Sequence, residues 1–127
     1  MKILVVDDEE DMEVLFLQKF RKEIREQQVS LAFANSGESA LEYLRLHRQE
    51  AVLILSDINM PGMGGLELLQ HIKQQYTVPP TIVIMITAYG DGDNYQNAIR
   101  MGADDLLTKP LDFKLLKEKL KTFIHNG

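Results

Sequence analysis

The chain contains no cysteine, which excludes a disulfide framework and any thiolate metal site and fits an intracellular setting. It also lacks a long apolar run. The opening segment MKILVVDDEED turns acidic after the short apolar stretch Ile3 to Val6, too brief for the core of a signal peptide, and nothing later approaches the ~20 residues that cross a bilayer. Excess positive charge is missing too. Its 14 basic residues face 19 acidic ones, for a net charge of −5, whereas a nucleic-acid binder shows a basic patch or a high pI. The histidines, His47, His71 and His125, stand on separate segments without ligand spacing, so zinc lacks its usual donors. No linker, repeat or low-complexity stretch interrupts the chain. What remains is 127 residues, 45% hydrophobic, a length and composition that suit one compact domain over residues 1–127, in the cytoplasm.

Five short apolar runs read as strands: Ile3–Val6, Val29–Ala34, Val52–Ser56, Thr81–Thr87 and Asp104–Thr108. The first, third and fourth are β-branched and show no polar alternation, as strands buried on both faces do. The second and fifth are more mixed, as edge strands are. Helical spacing separates the runs. Met12, Phe16, Phe20 and Ile24 fall four apart. Leu41 and Leu44 follow a candidate N-cap at Ser36. Leu66, Leu69 and Ile72 mark a third helix, Tyr95, Ala98 and Ile99 a weaker fourth, and Phe113, Leu116, Leu120 and Phe123 a clear fifth. Alternating strands and helices predict an α/β fold, a doubly wound parallel sheet with right-handed crossovers. The order 2-1-3-4-5 is expected, with the ligand-binding switch point between strands 1 and 3.

Polar residues stand where those strands end. Asp7 and Asp8 follow strand 1, Asp57 follows strand 3, Thr87 ends strand 4 and Lys109 follows strand 5. Neighbouring strands lie about 4.8 Å apart, so three carboxylates, a hydroxyl and an ammonium should converge on one cleft. Clustered carboxylates raise one another's pKa values unless a cation sits among them. Magnesium suits an oxygen-only set and is commonly held by one or two carboxylates together with phosphate oxygens; manganese is an alternative. Lys109 and the Thr87 hydroxyl could meet a phosphoryl group, and an aspartate can itself be the phosphoryl-accepting nucleophile. Asp57, in mid-sheet, is best placed. For any one of these residues a helix-capping or loop role is an equal contender; their joint occurrence on four strand ends favours a site.

With ILVVDDEE, LILSDINMPGMGGLELL, IVIMITAYGD and GADDLLTKPLDFKLL, the chain resembles over nearly its whole length the receiver domains of two-component response regulators. That resemblance implies the CheY-like, flavodoxin-like (βα)5 three-layer sandwich. It implies a signalling switch rather than an enzyme, with only magnesium-dependent autophosphotransfer and slow autodephosphorylation of its own. Asp57 would accept a phosphoryl group from a sensor histidine kinase or phosphotransfer protein. Asp8 and Asp57 would bind magnesium by side chains, Asn59 by its backbone carbonyl and Asp7 through water. Lys109 would pair with the phosphoryl oxygens, Thr87 would move toward them, and the Lys109–Pro110 peptide would be cis. Tyr89 and Asn59 would flank the phosphoryl group and set its lifetime. The implied partners are a kinase, a downstream protein or fused effector domain, and a second copy through the fourth helix, fifth strand and fifth helix. Neither nucleic acid nor membrane is expected to bind directly.

Two positions depart from the family pattern. Leu106 stands where an aromatic residue usually swings inward as the threonine moves, which puts the usual coupling in doubt. Gly64 stands where a capping side chain often starts the third helix, so a frayed start is expected. Other readings fit less well. A phosphatase with an aspartyl nucleophile needs a second Asp two residues on, where this chain has Asn59. A receiver-like interaction module indifferent to phosphate draws support from Leu106 alone. The segment YGDGDNYQ lacks the ligand and glycine of a calcium loop and reads as a helix-capping loop. PGMGG does not follow strand 1, so it is no dinucleotide fingerprint, and the acids after strand 1 could not cradle a flavin phosphate.

Overall fold

The computed structural model describes residues 1–47, 50, 52–75, 81–88 and 90–125. Its elements are β1 (Lys2–Val6), α1 (Glu10–Lys19), α2 (Arg21–Arg25), β2 (Ser30–Ala34), α3 (Gly37–Leu46), β3 (Val52–Asp57), α4 (Gly65–Gln75), β4 (Ile82–Thr87), α5 (Gly92–Arg100), β5 (Asp105–Thr108) and α6 (Phe113–His125). All strand pairs are parallel, and the order is β2-β1-β3-β4-β5. The mixed runs are indeed the edges. Among the described residues no helix is long and apolar enough to cross a membrane.

Because successive strand side chains point to opposite faces, the unbroken apolar strands feed two cores. Leu4, Val6, Ile54, Val83, Met85 and Leu106 pack against Ala40, Leu44, Leu68, Leu69, Ile72 and Ala98 of α3, α4 and α5. Ile3, Val5, Leu53, Leu55, Ile84, Ile86 and Leu107 pack on the other face against Phe16, Phe20, Leu116 and Leu120. Phe16 and Leu116 are fully buried, and each such side chain contributes roughly 1.5–3 kcal/mol by leaving water. In α5 the predicted stripe turns inward only at Ala98; Tyr95 and Ile99 stay exposed.

The first predicted helix is two. Its 12, 16, 20, 24 spacing persists, yet Phe20 leaves helical geometry at φ −102°, ψ 15°. The cause lies far along the chain. Lys117 Nζ donates to the Lys19 carbonyl at 2.7 Å, the acceptor that would continue the ladder, and pairs with Glu23 at 2.9 Å. A side chain inserted into a helix's hydrogen bonds breaks it.

Caps follow the sequence more closely. Ser36 accepts from the Ser39 N–H, and Ser39 answers as the reciprocal half of a capping box. Asp91 likewise caps α5 by accepting from the Asn94 N–H, so YGDGDNYQ contains a helix start. At α4 Gly64 offers no side chain. Among the described residues its first turn is held by backbone hydrogen bonds: Gly65 N–H donates to the Ile58 carbonyl at 2.8 Å and Leu68 N–H to the Gly64 carbonyl at 3.0 Å. A Cβ on Gly65 would stand 2.2 Å from the Asp57 carbonyl oxygen, which fixes glycine there by close approach. His47 stacks on Tyr43 and pairs with Glu50, and His71 meets Gln75.

Candidate functional site

Parallel strands end on one side of the sheet, so residues just past β1, β3, β4 and β5 share one rim. Asp57 closes β3 opposite Ile86, and Thr87 closes β4 opposite Thr108. Asp7 follows β1, its N–H donating to the Ala34 carbonyl at 3.1 Å. Lys109 follows β5, its N–H donating to the Thr87 carbonyl at 2.9 Å, and the Lys109–Pro110 peptide is cis.

Carboxylate oxygens of Asp7, Asp8 and Asp57 lie within 4.8 Å of one another. Asp7 and Asp57 are buried while Asp8 is exposed. Lys109 Nζ donates to Asp57 Oδ2 at 2.7 Å. Each buried acid also bends back on its own chain: Asn59 N–H donates to Asp57 Oδ1 at 3.2 Å, and Glu9 N–H donates to Asp7 Oδ1 at 2.9 Å. Asp57 therefore has both oxygens engaged. Asp7 Oδ2 and Thr87 Oγ1 are buried without a hydrogen-bond partner among the described residues.

These contacts set the electrostatics. Burial pushes the Asp7 carboxyl above its ordinary value; the nearby Asp57 charge adds to this, while the Glu9 N–H and Lys109 oppose it. For Lys109, burial alone would lower the pKa. The hydrogen bond to Asp57 and the charges of Asp57, Asp7 and Glu9 outweigh it, so the ammonium is held more firmly than usual. Three carboxylates thus face one ammonium, with an orphaned oxygen on one of them. An oxygen-only donor set with surplus negative charge fits a hard divalent cation and offers nothing to a softer one.

The predicted residues Asp7, Asp8, Asp57 and Lys109 are brought together, and Thr87 lies in the strand between Asp57 and β5. Asn59 is tied to Asp57 by its backbone. Leu106 is buried in the α3–α5 core beside Met85 and Ala98, one pleat below Thr108 on the same face. Tyr89 lies outside the described residues. Glu9 was not among the residues expected at the site, yet its N–H is a ligand to Asp7. The signal was the i to i+2 spacing of an Asx turn, repeated at Asp57 and Asn59.

Fold and site together define a doubly wound α/β protein with an acidic, lysine-bearing cleft at its switch point. The chain belongs to the response regulator receiver domain family, whose model matches residues 3–121. It is 38% identical over 124 residues to the response regulator protein PilR of Pseudomonas aeruginosa, covering 95% of this chain and 25% of that one. It is 33% identical over 121 residues to the response regulator RppA of Synechocystis, covering 95% and 49%. The chain thus spans from a quarter to about half the length of these relatives. The solved signal receiver domain of an HD domain-containing protein from Pseudomonas fluorescens superimposes with a TM-score of 0.84 at 30% identity, covering 98% of this chain and 94% of that one.

Proposed function

We propose that this receiver domain is a phosphorylation switch in which Asp57 accepts a phosphoryl group from a phosphohistidine of a sensor kinase or phosphotransfer protein. The observation that carries the reading is Asp57 itself, buried on a central strand and held at 2.7 Å by Lys109 inside an acidic cluster. An Asp57 oxygen attacks phosphorus in line; the bond from phosphorus to the donor nitrogen breaks, and the imidazole leaves with that electron pair and takes a proton. Lys109 moves its hydrogen bond from the carboxylate to the transferred oxygens. The Thr87 hydroxyl, without a hydrogen-bond partner among the described residues, donates to the same group.

Asp8, Asp57 and the Asn59 carbonyl would hold magnesium, with Asp7 acting through water. The ion supplies positive charge that offsets the phosphoryl oxygens. From its position two residues past Thr87 in the sequence, we assign Tyr89 to slowing water attack, so Tyr89→Ala should lose phosphate faster than wild type. The chain acts as one domain in the cytoplasm and passes its state to a downstream protein or fused effector. The face formed by α5, β5 and α6 is the surface available to that partner or to a second copy.

Incubation with magnesium and acetyl phosphate or phosphoramidate tests this. Wild type should gain the mass of one phosphoryl group and Asp57→Ala none. Absence of any gain would leave the phosphate-independent interaction module, which buried Leu106 favours, as the better account.

A further inference from the structure

The two edges of the sheet are built differently. β5 is four residues long and carries Asp105, which pairs with Lys119 at 2.9 Å, before the chain runs into Pro110. A short strand, a charge and a proline are common means of blunting an edge. β2 has none of them. Its sequence SLAFA pairs with β1 over five residues without interruption, and among the described residues no strand lies on its outer side. Ser30 N–H donates to the Met1 carbonyl, and the Ala34 carbonyl accepts from the Asp7 N–H, so Ser30, Ala32 and Ala34 direct their backbone groups to β1. The alternation of the ladder then turns the N–H and C=O groups of Leu31 and Phe33 outward.

The flank beside this edge is apolar. Leu31 and Phe33 lie half-buried on the α1 face of the sheet. Phe33 lines a groove of about 560 Å³ toward the C-terminal end of β2, and Leu31 lines another of about 560 Å³ toward its N-terminal end. Leu17 of α1 lines both grooves, and it and Val14 are 45% and 64% exposed. The charges around this strip separate by end. Glu10 and Glu13 border the first groove. Lys2 borders the second, and α2, whose Ile24 lines that groove, adds Arg21, Lys22 and Arg25.

We propose that the β2 edge is a homodimer interface, at which a second copy pairs antiparallel about a two-fold axis through Ala32. In that register Leu31 exchanges both backbone hydrogen bonds with Phe33 of the second copy, and Phe33 does the same with the second Leu31. A shift toward the N-terminal end would set Phe33 against Val29, whose N–H is already donated to the Glu23 carbonyl at 3.3 Å. Leu17, lying between the grooves, meets its own counterpart near the axis. The acidic end of each flank faces the basic end of the other, so the surface is complementary to itself, as an isologous contact requires. The sheet runs on through both copies, their acidic clusters lie at opposite ends, and the face of α5, β5 and α6 is left to a downstream partner. This pairing stands independently of the phosphorylation reading.

Sedimentation velocity of the full chain over a range of concentrations tests it, with Leu17→Glu, Glu13→Lys and Ile99→Glu beside wild type. All these positions are exposed, and circular dichroism checks that each variant is folded. Wild type should form a dimer. Leu17→Glu sets like charges together near the axis and should raise the dissociation constant at least about tenfold. Glu13→Lys should weaken the dimer and addition of Lys2→Glu should restore most of it, while Ile99→Glu, on α5, should change nothing. Amide exchange at Leu31 and Phe33 should be slow in the dimer and fast in Leu17→Glu. A wild type monomeric at every concentration overturns the proposal. So does a dimer that survives Leu17→Glu, one that dissociates in Ile99→Glu, or one in which the Leu31 and Phe33 amides exchange fast.

Discussion

Asp57 and Asp7 are both buried acids at the ends of neighbouring central strands, and the protein treats them oppositely. Asp57 has each oxygen engaged, one by Lys109 and one by the Asn59 N–H. Asp7 has one oxygen on the Glu9 N–H and the other buried with no partner among the described residues. A satisfied buried acid is a positioned one. An unsatisfied one costs stability, and its persistence is intelligible if something absent from the chain, a hard cation, completes it. The difference teaches that one half of the cleft holds the acceptor still while the other half waits for charge.

The comparison can be broken most severely at the satisfied half. Lys109→Ala should slow phosphorylation by acetyl phosphate roughly a hundredfold, the usual effect of removing one donor to developing charge. Unchanged rates would mean that the 2.7 Å contact is only structural. Gly65→Ala attacks the same half through the backbone, because its Cβ would stand 2.2 Å from the Asp57 carbonyl. We expect a loss of about 1–3 kcal/mol by denaturant unfolding together with slower phosphorylation.

The waiting half responds to pH. With its pKa raised in the folded state, ionised Asp7 costs stability at neutral pH, and the cost vanishes as pH falls through the folded value toward the unfolded one. In metal-free buffer Asp7→Asn should therefore be about 1 kcal/mol more stable than wild type near neutrality, with the gap closing toward pH 4. Lys109 carries the opposite sign. Its raised pKa makes its contribution complete through neutral pH and lost only in alkali, above the ordinary lysine range. The smallest effect belongs to Gly64, where a Cβ would meet nothing closer than 3.5 Å. Gly64→Asp should add a few tenths of a kcal/mol by capping α4, read as a slightly higher midpoint.

Much of this was legible in the residues. Strand order followed from alternation and from the contrast between pure and mixed apolar runs, and the site followed from polar residues falling on strand ends. What stayed hidden depends on distant partners. The break at Phe20 is made by Lys117 reaching the Lys19 carbonyl, and no local spacing shows that. The outward placement of Tyr95 and Ile99 follows from how α5 sits on the sheet, with only Ala98 facing in. The orphaned oxygen of Asp7 could not be read either, since burial of one carboxylate oxygen and engagement of the other are tertiary outcomes.

Thermal melting of wild type, Asp7→Asn and Asp8→Ala, each with chelator and with magnesium, tests the central claim most directly. The account predicts that Asp7→Asn melts above wild type in chelator, and that magnesium raises wild type markedly while leaving Asp8→Ala unmoved. A wild type indifferent to magnesium, or an Asp7→Asn variant that melts lower without metal, would contradict it.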